Sequence, residues 1–100
     1  MDIKEENLDG QIELIISGEI DGTNVGEFEK KVSEAADKTQ NLVLDLEGLD
    51  YVSSTGLRVF LTLQKKMRGR GDEVVIRNVN EEVMDIFTVT GFVKLLNIEV

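Results

Sequence analysis

The sequence contains neither cysteine nor histidine. Without cysteine there can be no disulfide framework and no thiolate zinc site. Without histidine the chain lacks the side chain that most often serves as general base, metal ligand or proton switch near neutral pH. No spacing of carboxylates suggests a cation site instead. The chain therefore lacks the usual catalytic base and the usual metal ligands, and we expect no cofactor and no metal.

Long apolar runs and positive charge are also scarce. No segment approaches the ~20 apolar residues of a membrane span, and the opening MDIKEENLDGQ is too acidic and polar for a secretory signal. The formal net charge is -9. Such a chain lacks the positive field that gathers on phosphate backbones, so nucleic acid is not an expected partner. These features predict a cytoplasmic protein with no membrane association, whose acidic surface suits a basic protein partner.

The first part of the chain reads as a hairpin followed by a helix. Asp9-Gly10 is a strong turn signal between predicted strands over residues 2–7 and 11–17. Thr23 or Asn24 fits the cap of the helix, and Asn24 has Glu27 three residues later, as in a capping box. The apolar stripe of that helix is formed by Val25, Phe28, Val32 and Ala35 or Ala36. The length of the chain predicts a single domain over residues 1–100.

The rest of the chain alternates strands with helices. NLVLDLEGL, residues 41–49, is typical of a buried parallel strand. A helix follows and ends at Gly69 and Gly71, EVVIRNV makes the next strand, Asn80 and Gly91 bound a third helix, and VKLLNIEV makes a closing strand. The order β-β-α-β-α-β-α-β predicts a small α/β fold in which a mixed sheet packs against helices.

Hydroxyl side chains cluster where the central strand meets the second helix, in LDYVSSTGLRVF, residues 49–60. Ligand sites in open α/β sheets lie at such strand ends, where free backbone N–H groups favour an anion. Ser54 would present its hydroxyl there, and Gly56 would allow a backbone or ligand to come close. The residue types alone favour a helix cap, worth about 1 kcal/mol, over a hydroxyl that is chemically modified.

Three motifs of the sequence resemble a known family. VLDLEGLDYVSSTGLRVFL resembles the central signature of the STAS domain family, in which Asp-Ser-Ser/Thr-Gly-Leu/Ile opens a helix after a hydrophobic strand. SGEID, Ser17 to Asp21, and IFTVTGF, Ile86 to Phe92, resemble the upstream and late elements of that family. The resemblance covers essentially the whole chain and implies a STAS-like fold. The one departure is Ser53, where the family usually has aspartate.

The resemblance also implies a function, that of a non-enzymatic binding module with no catalytic residues. Single-domain members with this signature resemble anti-sigma-factor antagonists, in which the first signature hydroxyl, here Ser54, is phosphorylated. The unphosphorylated protein would bind an anti-sigma factor that is also an ATP-dependent serine kinase, and so free a sigma factor. Phosphorylation of Ser54 would end that binding, and a serine phosphatase would restore it. The implied partner-binding residues are Glu19, Asp21, Thr23, Ser53, Thr55, Gly56, Leu57 and Arg58.

Several alternatives stay open at this point. Glu19 and Asp21 fit turn and cap roles as well as contacts with a basic partner. Arg58 is expected either to hold a phosphate or to touch the partner. The whole chain fits two further functions. One is a STAS scaffold, never phosphorylated, that serves as a subunit of a signalling or transport assembly. The other is a small phosphate-binding or acyl-transfer enzyme that uses Ser54.

Overall fold

The fold is a mixed five-stranded sheet with helices packed against it. The computed structural model describes residues 1–99. Its elements are β1 (Asp2–Leu8), β2 (Gln11–Ile20), α1 (Val25–Ala36), β3 (Asn41–Asp45), β4 (Leu49–Val52), α2 (Ser54–Gly69), β5 (Glu73–Arg77), α3 (Glu81–Val89) and a 3-10 turn (Phe92–Lys94). The predicted fold class, a small α/β structure with a mixed sheet, is confirmed.

The sheet is built around β2, its most heavily paired strand. The strand order is β1-β2-β3-β5, and β4 pairs with the far end of β2. Only β1 runs antiparallel to its neighbour, β2. The hairpin between these two strands turns at Asp9 and Gly10, with φ angles of 53° and 84°. Positive φ at both positions is what a tight hairpin turn needs, so the turn prediction is confirmed.

A strand that the sequence reading missed lies in the middle of the chain. The single strand expected over residues 41–49 ends at Asp45, and β4 follows as a separate strand. The break occurs because the Asp45 side chain accepts a hydrogen bond from the Glu47 N–H at 3.0 Å, a local turn that competes with strand pairing. After β3 the chain forms β4, which pairs with the end of β2. Helix α2 therefore starts beside the end of β2.

The closing strand predicted over residues 93–100 is wrong for the residues that the structure describes; Val100 lies outside them. A 3-10 turn begins this segment, and a lone bridge joins Ile98 to Ile76 of β5. The buried amide of Gln64 on α2 holds the backbone here. It donates to the Leu95 carbonyl and accepts from the Asn97 N–H. The backbone still bonds to β5 on either side of the bridge, from the Ile76 N–H to the Asn97 carbonyl at 2.9 Å and from the Glu99 N–H to the Ile76 carbonyl at 2.8 Å, but the pairing extends no further.

The core joins all three helices to the sheet. The ring centres of Phe28 and Phe60 lie 5.1 Å apart, and those of Phe60 and Phe87 lie 5.9 Å apart, edge to face. Aromatic side chains prefer to pack at such distances. The stripe predicted for α1 is confirmed, with Phe28, Val32, Ala35 and Ala36 buried and Val25 partly buried. The buried residues of α2 and α3 include Leu57, Phe60, Leu63, Met67, Val83 and Phe87. Within residues 1–99, no helix has the length and apolar character to cross a membrane.

Candidate functional site

The predicted site lies where the ends of β2 and β4 meet the start of α2. Val52 of β4 stands opposite Ile20 of β2 in the parallel register. The Ser53 N–H then donates to the Ile20 carbonyl at 2.9 Å. Helix α2 starts at once, with Ser54 as its first residue. The structure therefore confirms that the hydroxyl cluster lies at a strand-to-helix junction beside a second strand end.

Gly56 lets α2 lie close to these strand ends. A Cβ atom at this position would stand 2.7 Å from Val52 Cγ2 and 2.9 Å from Ile20 Cγ2, which is too close for carbon atoms. The sequence predicted that Gly56 would let a backbone or a ligand come close. In the structure the groups that come close to it are the side chains of Val52 and Ile20. Leu57 is only 2% exposed. Gly56 and Leu57 are both buried and shape the junction from beneath; their role in partner binding stays a prediction.

Ser53 is the N-cap of α2. Its backbone is extended, with φ -76° and ψ 168°, and its hydroxyl accepts a hydrogen bond from the Gly56 N–H at 3.2 Å. The same hydroxyl lies 2.9 Å from the Thr55 hydroxyl, within hydrogen-bond distance. Because Asp and Ser cap helices about equally well, the departure from the usual family aspartate keeps the cap.

Ser54 is left free by this arrangement. It lies in the first turn of α2 and is exposed. Its hydroxyl makes no hydrogen bond with any of the described residues, whereas both neighbouring hydroxyls are engaged with each other. The interpretation of Ser54 as a helix cap is therefore wrong, because the residue before it has that role. The free hydroxyl stands at a helix start, where a negative group is favourable.

The loop from Glu19 to Asn24 borders the same junction. One oxygen of the Asp21 carboxylate accepts bonds from the Thr23 hydroxyl at 2.6 Å and from the Thr23 N–H at 2.9 Å. These bonds, the hydroxyl bond first, lower the pKa of the Asp21 carboxyl. Asp21 and Thr23 thus hold a turn, which is the structural role that the sequence left open for Asp21.

The capping box predicted at Asn24 is wrong. Asn24 does occupy the N-cap position of α1, but its side chain makes no capping bond. Its amide instead accepts from the Asp21 N–H and donates to the Glu19 carbonyl, both at 2.9 Å. Through these two hydrogen bonds the Asn24 side chain connects the loop to the end of β2. Pairing with β4 and the bond from Asn24 together hold the backbone of Glu19.

The match of the sequence to a family model decides what kind of domain this is. The model described as "STAS domain" matches residues 3–100. The chain belongs to the STAS domain family. That match includes the junction just described, the loop before it and the turn after α3. It confirms the family that the three sequence motifs indicated.

The STAS domain is similar to proteins of the anti-sigma-factor antagonist group. It is 31% identical over 101 residues to the "Anti-sigma-B factor antagonist" of Listeria monocytogenes, covering 99% of this chain and 87% of that one. Its fold matches an anti-sigma factor antagonist from Mycobacterium paratuberculosis with a TM-score of 0.86 at 23% identity, covering 97% and 83% of the two chains. It also matches the phosphorylated form of the Bacillus protein SpoIIAA with a TM-score of 0.74 at 16% identity, covering 99% and 92%.

The strand ends and the first turns of α2 expose charged side chains of both signs and one aromatic side chain. Glu19, Asp50 and Arg58 are exposed, and none of them forms an ion pair within residues 1–99. Tyr51 of β4 is 45% exposed, and the sequence reading gave it no role. Its place just before the hydroxyl cluster is the signal that could have found it. Among the described residues, no cluster of acidic side chains could hold a metal ion.

Proposed function

We propose that this STAS domain is an anti-sigma-factor antagonist. In its unmodified state it binds an anti-sigma factor through the surface around Ser54, and phosphorylation of Ser54 ends the binding. The observation that carries the proposal is the free Ser54 hydroxyl at the start of α2, beside a cap supplied by Ser53. The similarity to the Listeria antagonist over nearly the whole chain supports the same role.

The charge of a phosphoryl group explains why modification would switch the binding. A phosphoserine carries roughly -1.5 to -2 charges near neutral pH. The start of α2 can accept this charge, because the helix dipole and free N–H groups favour an anion there. A partner surface packed on Ser54 cannot accept it as easily, since a buried charge left unpaired costs about 2–5 kcal/mol. The fold should therefore survive phosphorylation while the complex dissociates.

The reaction needs no catalytic group from this chain. The anti-sigma factor, acting as an ATP-dependent serine kinase, transfers the γ-phosphoryl group of ATP to the Ser54 oxygen and takes up the hydroxyl proton. A serine phosphatase hydrolyses the phosphoester and restores the binding form. Arg58 lies one helical turn after Ser54 and is exposed, so its side chain is within reach of a phosphate on that residue. The exchange takes place in the cytoplasm, where ATP is available.

The first test concerns the modified atom. After reaction with the cognate anti-sigma kinase and ATP, peptide mass spectrometry should find one phosphoryl group, on Ser54. Ser53 and Thr55 should stay unmodified, because their hydroxyls are held by each other and by the Gly56 N–H. The Ser54→Ala variant serves as the control and should take up none. Modification of Ser53 alone, or of no residue, would contradict the assignment.

The second test concerns the departure at Ser53. Ser53→Asp should keep the cap, whereas Ser53→Ala should lower the free energy of unfolding by about 1 kcal/mol. If the usual family aspartate aids phosphoryl transfer, Ser53→Asp should also be phosphorylated faster than the wild type, with little change in partner affinity. Single-turnover phosphorylation measures the rates, and thermal unfolding measures the stabilities. Equal rates would show that the carboxylate is dispensable in this chain.

A further inference from the structure

Arg58 lies on the same exposed face of α2 as Ser54. Both residues are exposed, and Arg58 follows Ser54 by one helical turn. Side chains at this spacing are neighbours, with Cβ atoms about 5–6 Å apart. Because helical side chains lean towards the N-terminus of their helix, the long Arg58 side chain starts out in the direction of Ser54. Leu57, the residue before it, is buried in the core, so Arg58 is the charged neighbour of Ser54 on this helix.

Arg58 differs in its surroundings from the other three arginines of the chain. Arg70 and Arg77 form ion pairs with carboxylates, at N–O distances of 2.9 Å and 3.1 Å. Arg68 lies in the last turn of α2, where the helix dipole favours a cation. Arg58 lies near the start of α2, where the dipole does not favour a cation, and it forms no ion pair within residues 1–99. Its guanidinium group is therefore available to an anion.

The surroundings of Arg58 also leave room for its side chain to turn. Arg58 lines a cavity of about 240 Å³ between α1 and α2, and Glu29 of α1 is the other charged residue of the lining. The two side chains form no ion pair in the described part of the chain. A phosphoryl group on Ser54 would carry up to about twice the charge of the Glu29 carboxylate. Because a guanidinium group also binds phosphate oxygens in two-point geometry, the phosphate is the stronger partner for Arg58.

We propose that Arg58 binds the phosphoryl group of phosphorylated Ser54 within the same molecule. This inference rests on the proposed function, which makes Ser54 the phosphorylated residue. The ion pair spans one turn of α2 and exists only in the phosphorylated protein, so it stabilises that form and not the unmodified one. Arg58 is a positioning residue that holds the phosphate on the surface of α2 after the transfer. The state that does not bind the partner is thus held by a bond of its own.

The pKa of the phosphate tests the ion pair directly. Phosphoserine incorporated in place of Ser54 by amber suppression gives the modified protein without a kinase, and phosphorus NMR follows its second ionisation, which has a pKa of about 6 without a partner. In the wild type this pKa should lie about 0.3 or more below that of Arg58→Gln, because a guanidinium favours the doubly charged phosphate. Arg58→Lys should give an intermediate pKa, since it keeps the charge but loses the two-point geometry.

Thermal unfolding gives a second readout. Arg58→Gln should lower the melting temperature of the phosphorylated protein by roughly 1–4 °C more than that of the unmodified protein. The ion pair lowers the phosphate pKa in the folded state, so its stabilisation is full above the unfolded-state pKa of about 6 and is lost as the pH falls through the folded-state pKa. The extra loss in Arg58→Gln should therefore be larger at about pH 8 than at about pH 5.

Arg68→Gln is the matched control. It makes the same substitution at another exposed arginine of α2 that has no ion pair within residues 1–99. Arg68 lies about 21 Å from Ser54 along the helix axis, at 1.5 Å per residue, which is beyond the reach of its side chain. Arg68→Gln should leave the phosphate pKa unchanged, and any loss of melting temperature should be the same in the phosphorylated and unmodified proteins.

The outcomes separate this inference from the proposed function. If the cognate kinase leaves Ser54 unmodified, the proposed function fails, and the encoded phosphoserine still shows whether Arg58 binds a phosphate there. If the phosphate pKa is the same in Arg58→Gln and the wild type, Arg58 does not hold the phosphate and the inference is wrong. The inference is also wrong if Arg68→Gln changes this pKa as much as Arg58→Gln does, or if Arg58→Gln lowers both melting temperatures equally.

Discussion

Ser54→Asn should retain most of the affinity for the anti-sigma factor, whereas Ser54→Asp should weaken it by a factor of ten or more. The two side chains have nearly the same size, so their difference is the charge. A carboxylate placed in the interface without a partner costs about 2–5 kcal/mol. Aspartate carries less charge than a phosphate, so its effect should be smaller than that of full phosphorylation. Calorimetric titration against the unmodified wild type gives the affinities.

In the structure, the effect of charge at Ser54 is separate from the effect of helix capping. Because Ser53 caps α2, neither substitution at Ser54 removes the cap, and both variants should melt close to the wild-type temperature. Ser54→Ala becomes a useful control for the same reason, since it deletes the hydroxyl without loosening the helix. Equal binding by the Asn and Asp variants would show that charge at Ser54 does not control the complex, and that some other feature of phosphorylation, or another site, does.

Gly56→Val should strongly destabilise the fold. The added side chain would start at a Cβ position 2.7 Å from Val52 Cγ2 and 2.9 Å from Ile20 Cγ2. Both neighbours are β-branched and almost completely buried, at 2% and 0% exposure, so they have little freedom to move. Overpacking of this kind costs about 1–3 kcal/mol and sometimes more. Since 1 kcal/mol corresponds to about 4–8 °C in a domain of this size, thermal unfolding should show a clear drop.

Gly26→Ala is the matched control for Gly56. It also lies in a helix, but nothing stands within 4 Å of the position of its added Cβ. Alanine should therefore stabilise α1 by up to about 1 kcal/mol through its higher helix propensity. Gly56→Ala, which combines the same propensity gain with the steric conflict, should fall between the other two variants. A Gly56→Val protein as stable as the wild type would show that α2 can move away from the strand ends at no cost.

The sequence predicted the local elements of the fold well, and the tertiary ones less well. The helical stripes, the hairpin turn at Asp9 and Gly10, and the cap at Asn80 follow from short-range patterns. The cap is present, as the Asn80 side chain accepts from the Val83 N–H at 3.0 Å. The missed strand β4 and the wrong closing strand lie where the side chains of Asp45 and Gln64 bond to the backbone. Which backbone groups such side chains reach is set by the fold, and no periodicity shows it.

In the candidate site, too, the sequence predicted local features better than tertiary ones. The family motif located Ser54, and the structure places it at the predicted junction. The sequence could not tell which of the adjacent hydroxyls caps the helix, because that depends on which residue has the extended backbone found at Ser53. The exposure of Tyr51 depends on the bulge at Asp50, which changes the direction of side chains without leaving a pattern in the residue types.

The separation of cap and free hydroxyl between Ser53 and Ser54 has a consequence for how the protein can evolve. On the proposed function, the residue that holds the helix in place serves folding, whereas its neighbour serves regulation. A descendant that lost Ser54 would keep its stability and its binding surface, and would become a permanently active binding protein in one mutational step. Reversion would restore control just as directly. The regulated and unregulated forms of such a domain are therefore close neighbours in sequence, with no unstable intermediate between them.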